Sequence, residues 1–272
     1  MILGLSSFTY AWAVGIPGHV PARPLDGLAL LQQARQHGLS LLQIGDNLPL
    51  HNLENAELDR LALRARESGI RLEIGARGLT SARVADYVRI ARRLDARLVR
   101  FVIDDIDYQP SPDAITGILR ESAPALNDLT LGIENHDRFP AVSLRALVES
   151  AGCDRIGICL DTVNSLGAGE GLDTVVAALA PLTVNLHIKD FHITRASHRM
   201  GFTVEGRPAG EGMLNIPQVL RQLAPFHRCR SAILELWTPP EPRLDQTLAR
   251  ESDWATRSLE FLKPLFPAGY AE

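Results

Sequence analysis

The sequence predicts a single (β/α)₈ TIM-barrel domain that spans residues 1–272. Short apolar runs alternate with longer amphipathic segments along the whole chain, as in a fold built from βα units. The short runs are mainly apolar, which is typical of parallel strands that are covered on both faces. No internal repeat, low-complexity tract or long linker divides the chain, and barrels of about 200–250 residues commonly form one domain.

The predicted strands are short apolar runs, long enough for strands and too short for helices. In chain order they are ILGLSS (2–7), LLQIG (41–45), RLEIG (71–75), LVRFVI (98–103), LTLGIEN (129–135), RIGICLD (155–161), TVNLHIKD (183–190) and SAILELW (231–237).

The predicted helices lie between these strands and carry apolar residues at a period near 3.6. The segment from Ser81 to Leu94, for example, places Val84, Val88 and Ala91 on one face. In chain order the predicted helices are Leu25 to Gln36, Asn55 to Glu67, Ser81 to Leu94, Asp113 to Leu126, Ala141 to Ser150, Leu172 to Leu179, Ile216 to Leu223 and Arg243 to Leu262.

Because the right-handed crossover makes each βα unit close the same way, eight such units favour a closed barrel. An open doubly wound sheet is the alternative fold. Such a sheet typically carries a glycine-rich phosphate loop after its first strand. Here the segment at that place is SSFTYAWAVGIPG, which has no GxGxxG pattern. The longest irregular stretch, Phe191 to Gly212, is predicted to be a functional loop rather than a domain boundary.

Composition narrows the class of partner. The net charge of −4 gives no bulk attraction to nucleic-acid phosphates or to anionic lipid, so we expect neither nucleic acid nor a membrane as a partner. Three cysteines without CxxC spacing indicate a reducing compartment. No signal peptide or long apolar run is apparent, and we expect a cytoplasmic protein that acts on a small molecule. The sequence leaves homo-oligomerisation open.

Four ionisable residues close the last four predicted strands. They are Glu134, Asp161, His187 and Glu235, and each follows an apolar run. The active site of such a barrel lies at the C-terminal ends of its strands, so these side chains should converge. A single acidic residue there is more often a helix cap or part of a loop salt bridge, but four on consecutive strands form a pattern.

Three carboxylates at one point would repel each other strongly unless a cation lies among them. Oxygen ligands with one imidazole suit one divalent ion, Mn²⁺, Mg²⁺ or Co²⁺. The lack of thiolate argues against a structural zinc site, while zinc remains a further option for a catalytic one. The sequence therefore predicts a metal bound by these four residues.

Two further residues could assist the chemistry. His136 lies two residues after Glu134, and Lys189 lies two residues after His187, so each should point to the same side as its neighbour if the strand continues. A surface role is the alternative for both.

The loops after the first two strands offer candidates for substrate binding. Tyr10 and Trp12 could form an aromatic wall that excludes water, or simply pack the loop. Gln43 and Asn47 follow the second strand, where groups that bind hydroxyls could lie.

Later loops add three more candidates. Asn164 could contact the substrate or cap a helix. Arg195 and Arg199 could bind a carboxylate or phosphate of the substrate through paired hydrogen bonds, and solvated loop arginines are the alternative.

The motifs GIENH, CLDTVNS, HIKD and ILELW resemble the metal motifs of the sugar phosphate isomerase/epimerase superfamily, the xylose isomerase-like barrels. The resemblance covers essentially the whole chain and implies a divalent metal held by the same four residues. It further implies proton transfer by Glu134 and Glu235, as in the 3-epimerases, or assistance by His136 and Lys189, as in the dehydratases. SSFTYAWAVGIPG, QIGDNLPLHNL and RMGFTVEGRPAGEG are similar to the 3-oxo-isoapionate decarboxylases of this superfamily.

The implied activity is metal-dependent conversion of a small keto sugar or sugar acid through a stabilised enediolate. An isomerase or epimerase is the leading interpretation. The alternatives are a lyase of the same superfamily, either a decarboxylase of a 3-oxo sugar acid or a dehydratase, and more distantly a non-catalytic carbohydrate-binding barrel. Two positions depart from the 3-epimerases: Asn164 stands where they carry histidine, and Ile193 stands where they carry arginine.

Overall fold

The computed structural model describes residues 1–266 and confirms the predicted barrel. Its strands run parallel and close in the order β1-β10-β7-β6-β5-β4-β3-β2. The barrel strands are β1 (Ile2–Ser6), β2 (Leu41–Ile44), β3 (Arg71–Arg77), β4 (Leu98–Val102), β5 (Thr130–Glu134), β6 (Ile156–Asp161), β7 (Thr183–Ile188) and β10 (Ser231–Leu234). Two further strands, β8 (Asp190–Arg195) and β9 (Phe202–Arg207), lie outside the barrel.

Helices surround the strands and agree closely with the predicted segments. They are α1 (Ala11–Val14), α2 (Gly27–Gln36), α3 (Asn55–Glu67), α4 (Ser81–Leu94), α5 (Pro112–Leu126), α6 (Ala141–Ser150), α7 (Leu172–Leu179), α8 (Ile216–Leu223) and α9 (Leu244–Leu262). Across residues 1–266, none of these helices combines the length and the apolar character needed to cross a bilayer.

Helix α4 illustrates why these segments fold as they do. The side chain of Thr80 caps its first turn by accepting a hydrogen bond from the backbone N–H of Arg83, at 3.1 Å. Val84, Val88 and Ala91 recur at helical spacing, and all three are buried in the core that also contains the barrel strands. The helical layer therefore covers the outer face of the barrel and leaves its two mouths open for a site.

The stretch from Phe191 to Gly212 is not irregular as predicted. Strands β8 and β9 pair in it as an antiparallel hairpin, with Asp190 opposite Arg207 at its base and Arg195 opposite Phe202 near its tip. Most of its residues are polar or exposed, so the hairpin has no apolar run by which a strand could be recognised.

A buried carboxylate anchors the segment that follows this hairpin. Asp190 accepts hydrogen bonds from the backbone N–H groups of Phe191, Gly210, Gly212 and Leu214 at 2.8–3.0 Å. These bonds satisfy both carboxylate oxygens and hold the returning chain against the base of the hairpin.

Candidate metal centre and substrate cavity

The structure brings the four strand-end residues together at the C-terminal mouth of the barrel. Glu134 and Asp161 are the last residues of β5 and β6. His187 is the second-last residue of β7, and Glu235 directly follows β10. We call these residues the four-residue cluster. All four are buried, with Glu134 the most exposed at 4%. Ionisable groups buried to this degree need partners of opposite charge.

The imidazole of His187 lies among the three carboxylates. Its Nδ1 is 3.3 Å from Oε1 of Glu235, 3.8 Å from Oε1 of Glu134 and 3.9 Å from Oδ2 of Asp161. Two ligands of one ion at about 2.2 Å can lie no further than about 4.4 Å apart, so each separation from His187 is compatible with a shared cation. Asp161, His187 and Glu235 offer ligand atoms that all lie within 4.8 Å of one another, and Glu134 meets the same limit with His187 and Cys159.

An unsatisfied polar atom supplies a test of that fit. Nδ1 of His187 is buried and makes no hydrogen bond within residues 1–266, whereas Oε2 of Glu134 lies 2.9 Å from Nε of Arg100 and Oδ2 of Asp161 lies 2.8 Å from Nζ of Lys189. Buried polar atoms are rarely left unpaired, so a nitrogen without a hydrogen bond among three carboxylates calls for an explanation. Three carboxylates and one imidazole nitrogen form a donor set that suits a divalent cation.

Lys189 places a positive charge beside the cluster. Its Nζ lies 2.8 Å from Oδ2 of Asp161 and 3.0 Å from Oε2 of Glu235. Burial disfavours the ammonium, but the charges of Asp161 and Glu235 outweigh it and raise the pKa of Lys189 above its ordinary range. Burial likewise opposes ionisation of Glu235, yet His187, when its imidazole is protonated, and the ammonium of Lys189 lower its pKa to about 2.

Arg100 is a charged residue of the site that the sequence reasoning missed. This β4 side chain is only 2% exposed, and its Nη1 lies 2.6 Å from Oδ1 of Asp46 while its Nε lies 2.9 Å from Oε2 of Glu134. The attraction of Glu134 and Asp46 outweighs burial and raises the pKa of Arg100 above its ordinary range. An arginine inside the apolar run LVRFVI was the available signal, because a buried guanidinium requires acidic partners.

Two glycines make room for this guanidinium. A Cβ atom on Gly75 would lie 3.2 Å from Cζ and Nε of Arg100, and a Cβ on Gly45 would lie 2.7 Å from the ring of Phe8 and 3.2 Å from Nη2 of Arg100. Glycine at both positions therefore lets the backbone approach the buried ion pair.

Asn164 holds two members of the cluster in place. Its Nδ2 donates to Oε1 of Glu134 at 2.8 Å, and its backbone N–H donates to Oδ1 of Asp161 at 2.8 Å. The structure thus engages Asn164 with the candidate ligands themselves, where the sequence suggested a substrate contact or a helix cap.

A cavity of about 520 Å³ adjoins the cluster, and we call it the Trp12 cavity. Trp12 and Trp237 contribute aromatic walls, Lys189 links the cavity to the cluster, and Val204 and Glu205 of β9 close one side. This volume lies within the range of about 300–1,000 Å³ that is typical of small-molecule sites.

The wall formed by Trp12 is fixed by two hydrogen bonds. Its indole Nε1 donates to the backbone oxygen of Thr238 at 2.8 Å, and its backbone N–H donates to Oε1 of Glu251 at 2.8 Å. Glu251 also accepts from the backbone N–H of Ala13, at 3.0 Å.

Other residues predicted to bind substrate have different neighbours. The hydroxyl of Tyr10 pairs with Nε2 of His37 at 2.9 Å, which places this side chain in the helical layer. Asn47 exchanges hydrogen bonds with Ser7 and so braces the loop after β1. The amide of Gln43 lies inside the barrel, where its Oε1 is 2.7 Å from Nε2 of His187.

The remaining candidates lie on the surface. His136 pairs through Nδ1 with the neighbouring Asp137 at 2.6 Å. Arg195 lies near the tip of the hairpin, where its guanidinium stacks on Phe202 with 4.6 Å to the ring centroid and donates to the backbone oxygen of Arg199. Neither arginine lines the Trp12 cavity, which meets the hairpin nearer its base at residues 204–206.

The fold and the cluster together define a TIM barrel with a candidate metal centre, and comparison identifies the family. The model of the xylose isomerase-like TIM barrel family matches residues 29–265, so the chain belongs to this family. A 3-oxo-isoapionate decarboxylase from Pectobacterium atrosepticum is 33% identical over 96% of this chain and 95% of that enzyme.

Solved structures share the same fold at lower identity. A D-psicose 3-epimerase with D-tagatose from Clostridium cellulolyticum H10 is 13% identical, covers 97% of this chain and 99% of its own, and has a TM-score of 0.72. A xylose isomerase-like TIM barrel protein from Mycobacterium smegmatis in complex with magnesium is 13% identical, covers 96% and 98% of the two chains, and has a TM-score of 0.70.

Proposed function

We propose that this protein is a divalent-metal-dependent lyase that releases CO₂ from a small 3-oxo sugar acid. The observation that carries the proposal is the 33% identity to a 3-oxo-isoapionate decarboxylase over 96% of this chain and 95% of that enzyme. Because the match spans both chains almost completely, it extends over the whole barrel and does not rest on one motif.

The cation would be held by Glu134, Asp161, His187 and Glu235. The buried Nδ1 of His187 supports this assignment, because it faces three carboxylates and makes no hydrogen bond among the described residues. The donor set favours Mn²⁺, Mg²⁺ or Co²⁺, with Zn²⁺ as a further option. When bound, such an ion supplies Lewis-acid polarisation of the carbonyl oxygen beside the bond that breaks.

Decarboxylation of a 3-oxo acid needs one proton from the protein. The bond between the carboxyl carbon and its neighbour breaks, CO₂ leaves, and the electron pair passes into the enolate of the 3-oxo group. A proton must then be added to the carbon that carried the carboxyl group. Lys189 is the donor by position, because its ammonium borders the Trp12 cavity and its side chain is 17% exposed, which allows reprotonation from water. Against the effect of burial, Asp161 and Glu235 raise its pKa, so the ammonium becomes a stronger acid when a cation draws these carboxylates away from it.

The engagement of Glu134 favours this chemistry over epimerisation. An epimerase must remove a proton from one face of a carbon and return one to the other face, so it needs two groups free to carry protons. Here Oε1 of Glu134 accepts from Asn164 and Oε2 lies 2.9 Å from Nε of Arg100. A carboxylate held in this way is better suited to binding a cation than to accepting a proton from the substrate.

A sugar isomerase or epimerase is the second candidate. It is favoured by the pair of glutamates, Glu134 and Glu235, whose Oε1 atoms lie 3.8 and 3.3 Å from Nδ1 of His187. Two carboxylates beside one substrate carbon are the groups that such a reaction would use.

Product analysis separates the two candidates. The metal-free protein is incubated with Mn²⁺ and 3-oxo-isoapionate or related 3-oxo sugar acids, and CO₂ is measured; keto sugars are tested in parallel in D₂O for C–H exchange. CO₂ release that EDTA abolishes supports the lyase. Exchange or epimerisation of keto sugars without CO₂ release from any acid would overturn it in favour of the second candidate.

Glu235→Gln sharpens this distinction. Gln keeps the size and one oxygen ligand but cannot carry a proton. An epimerase should lose about 10²–10⁴-fold in kcat along with its solvent exchange. A decarboxylase should lose less, because breaking the C–C bond requires no base. Metal occupancy is measured in the same sample so that a loss of metal is not mistaken for a loss of chemistry.

A further inference from the structure

A hydrogen-bonded network inside the barrel ends on the candidate metal ligand His187. Nε2 of His187 lies 2.7 Å from Oε1 of Gln43, and Nε2 of Gln43 donates to Oε2 of Glu73 at 3.0 Å and to Oδ1 of Asn185 at 3.2 Å. Asn185 in turn donates to Oε2 of Glu73 at 3.3 Å. Strands β2 and β7 are not neighbours in the sheet, so the contacts between them cross the barrel interior.

The network has only one consistent direction. Oε2 of Glu73 accepts hydrogen bonds from both amides, so it holds the NH₂ groups of Gln43 and Asn185 toward itself. The carbonyl oxygen of Gln43 then faces His187 and requires a proton on Nε2. The opposite orientation of Gln43 would direct its oxygen at Oε2 of Glu73 and Oδ1 of Asn185, which both act as acceptors in this network.

We propose that Glu73 and Gln43 are positioning residues that hold His187 in the tautomer with the proton on Nε2 and a free lone pair on Nδ1. Nδ1 is the nitrogen that faces the three carboxylates, at 3.3–3.9 Å, and it has no hydrogen-bond partner within the described chain. Groups that orient the second nitrogen of a metal-binding histidine commonly change metal affinity by about 10–100-fold.

This inference concerns the metal centre of the proposed function, but its central test needs neither metal nor substrate. Long-range ¹H–¹⁵N spectra of metal-free protein with ¹⁵N-labelled histidine report which ring nitrogen carries the proton. The sequence has eight histidines, and the His187 signals are assigned by their loss in His187→Asn. At a pH where the ring of His187 is neutral, we expect the wild-type protein to carry the proton on Nε2.

Three variants separate positioning from simple structural support. Glu73→Met and Gln43→Met remove hydrogen-bonding groups at similar volume, whereas Glu73→Gln retains an acceptor oxygen and serves as the conservative rescue. Glu251→Met is the matched control, because Glu251 is also a buried carboxylate, 1% exposed against 8% for Glu73, but its hydrogen bonds go to the chain after β1.

Glu73→Met and Gln43→Met should shift His187 toward the Nδ1-protonated tautomer and weaken Mn²⁺ binding, measured by electron paramagnetic resonance, by about 10–100-fold. Glu73→Gln should restore the wild-type tautomer, and Glu251→Met should leave it unchanged even if stability falls. A proton on Nδ1 in the wild-type protein, or an unchanged tautomer in Gln43→Met, would overturn the inference. Absence of Mn²⁺ binding by the wild-type protein would instead overturn the proposed metal centre, while the tautomer result still decides the role of Gln43.

Discussion

Replacing Arg100 by methionine tests the electrostatic account of the site most directly. The guanidinium is buried between Asp46 and Glu134, at 2.6 and 2.9 Å. Met has a similar length and can pack in the same space, so the main change is loss of the positive charge. The buried Glu134 then loses its guanidinium partner, while Asp46 keeps its pair with Arg77 at 3.1 Å.

The expected loss of stability is large. Removing one partner of a buried ion pair typically costs about 3–5 kcal/mol, because the remaining charge is left desolvated and unpaired. For a domain of this size, each kcal/mol lowers Tm by about 2–4 °C, which gives a decrease of about 6–20 °C. The matched control is Arg93→Met, since Arg93 forms a 2.6 Å pair with Asp59 on the surface. Exposed pairs contribute only about 0–1 kcal/mol.

Added Mn²⁺ should stabilise Arg100→Met more than it stabilises the wild-type protein. Loss of Arg100 makes the four-residue cluster more negative, so Arg100→Met should bind the ion more tightly even though its metal-free form is less stable. Ligand at 100 times its Kd adds about 2.7 kcal/mol to the free energy of unfolding. At a fixed Mn²⁺ concentration, the variant should therefore regain more stability than the wild-type protein gains.

Urea unfolding with and without Mn²⁺ measures both effects. The reasoning fails if Arg100→Met loses no more than Arg93→Met in the metal-free state. It also fails if Glu134→Gln, added to Arg100→Met in the metal-free state, restores none of the lost stability, because that second change removes the buried charge that has lost its guanidinium.

Further predictions follow from other contacts. Burial raises the pKa of Glu251 from 4.5 to about 7, so the folded state binds this proton more tightly than the unfolded chain does. The free energy of unfolding should therefore fall as pH rises from about 4.5 to about 7 and then level off. Glu251→Gln should flatten that slope in urea titrations. Gly75→Ala should lower the free energy of unfolding, measured by thermal unfolding, by about 1–3 kcal/mol, because the new Cβ would lie 3.2 Å from the fixed guanidinium of Arg100. An unchanged stability would contradict the packing described for the ion pair. EDTA treatment should leave the far-ultraviolet circular dichroism spectrum unchanged, because the core does not depend on a metal. Added Mn²⁺ should raise Tm. Unfolding on treatment with EDTA would assign the metal a structural role.

The order and type of the barrel elements could be predicted from local patterns. Helices such as Asn55–Glu67 and Ala141–Ser150 agree with their predicted bounds, because apolar spacing and glycine punctuation act within a few residues along the chain. The hairpin formed by β8 and β9 could not be predicted in the same way, since strands with polar, exposed residues show no apolar run.

Residues inside apolar runs carried a weaker signal. Arg100 in LVRFVI, Glu73 in RLEIG and Asn185 in TVNLHIKD each interrupt a strand with a polar group that must find a partner when buried. Such an interruption indicates that a partner exists but does not identify it, because the partner lies on another strand.

By itself the sequence determined the barrel and the four strand-end residues, because parallel strands in a closed barrel bring their C-terminal ends to one mouth wherever they occur in the chain. Only the tertiary structure decided that Glu134 is held by Arg100 and that Gln43 faces His187 rather than the Trp12 cavity. The hydroxyl of Tyr10, likewise, bonds His37 in the helical layer. Such contacts join residues distant in sequence, and they depend on barrel closure and side-chain direction, which local periodicity does not specify.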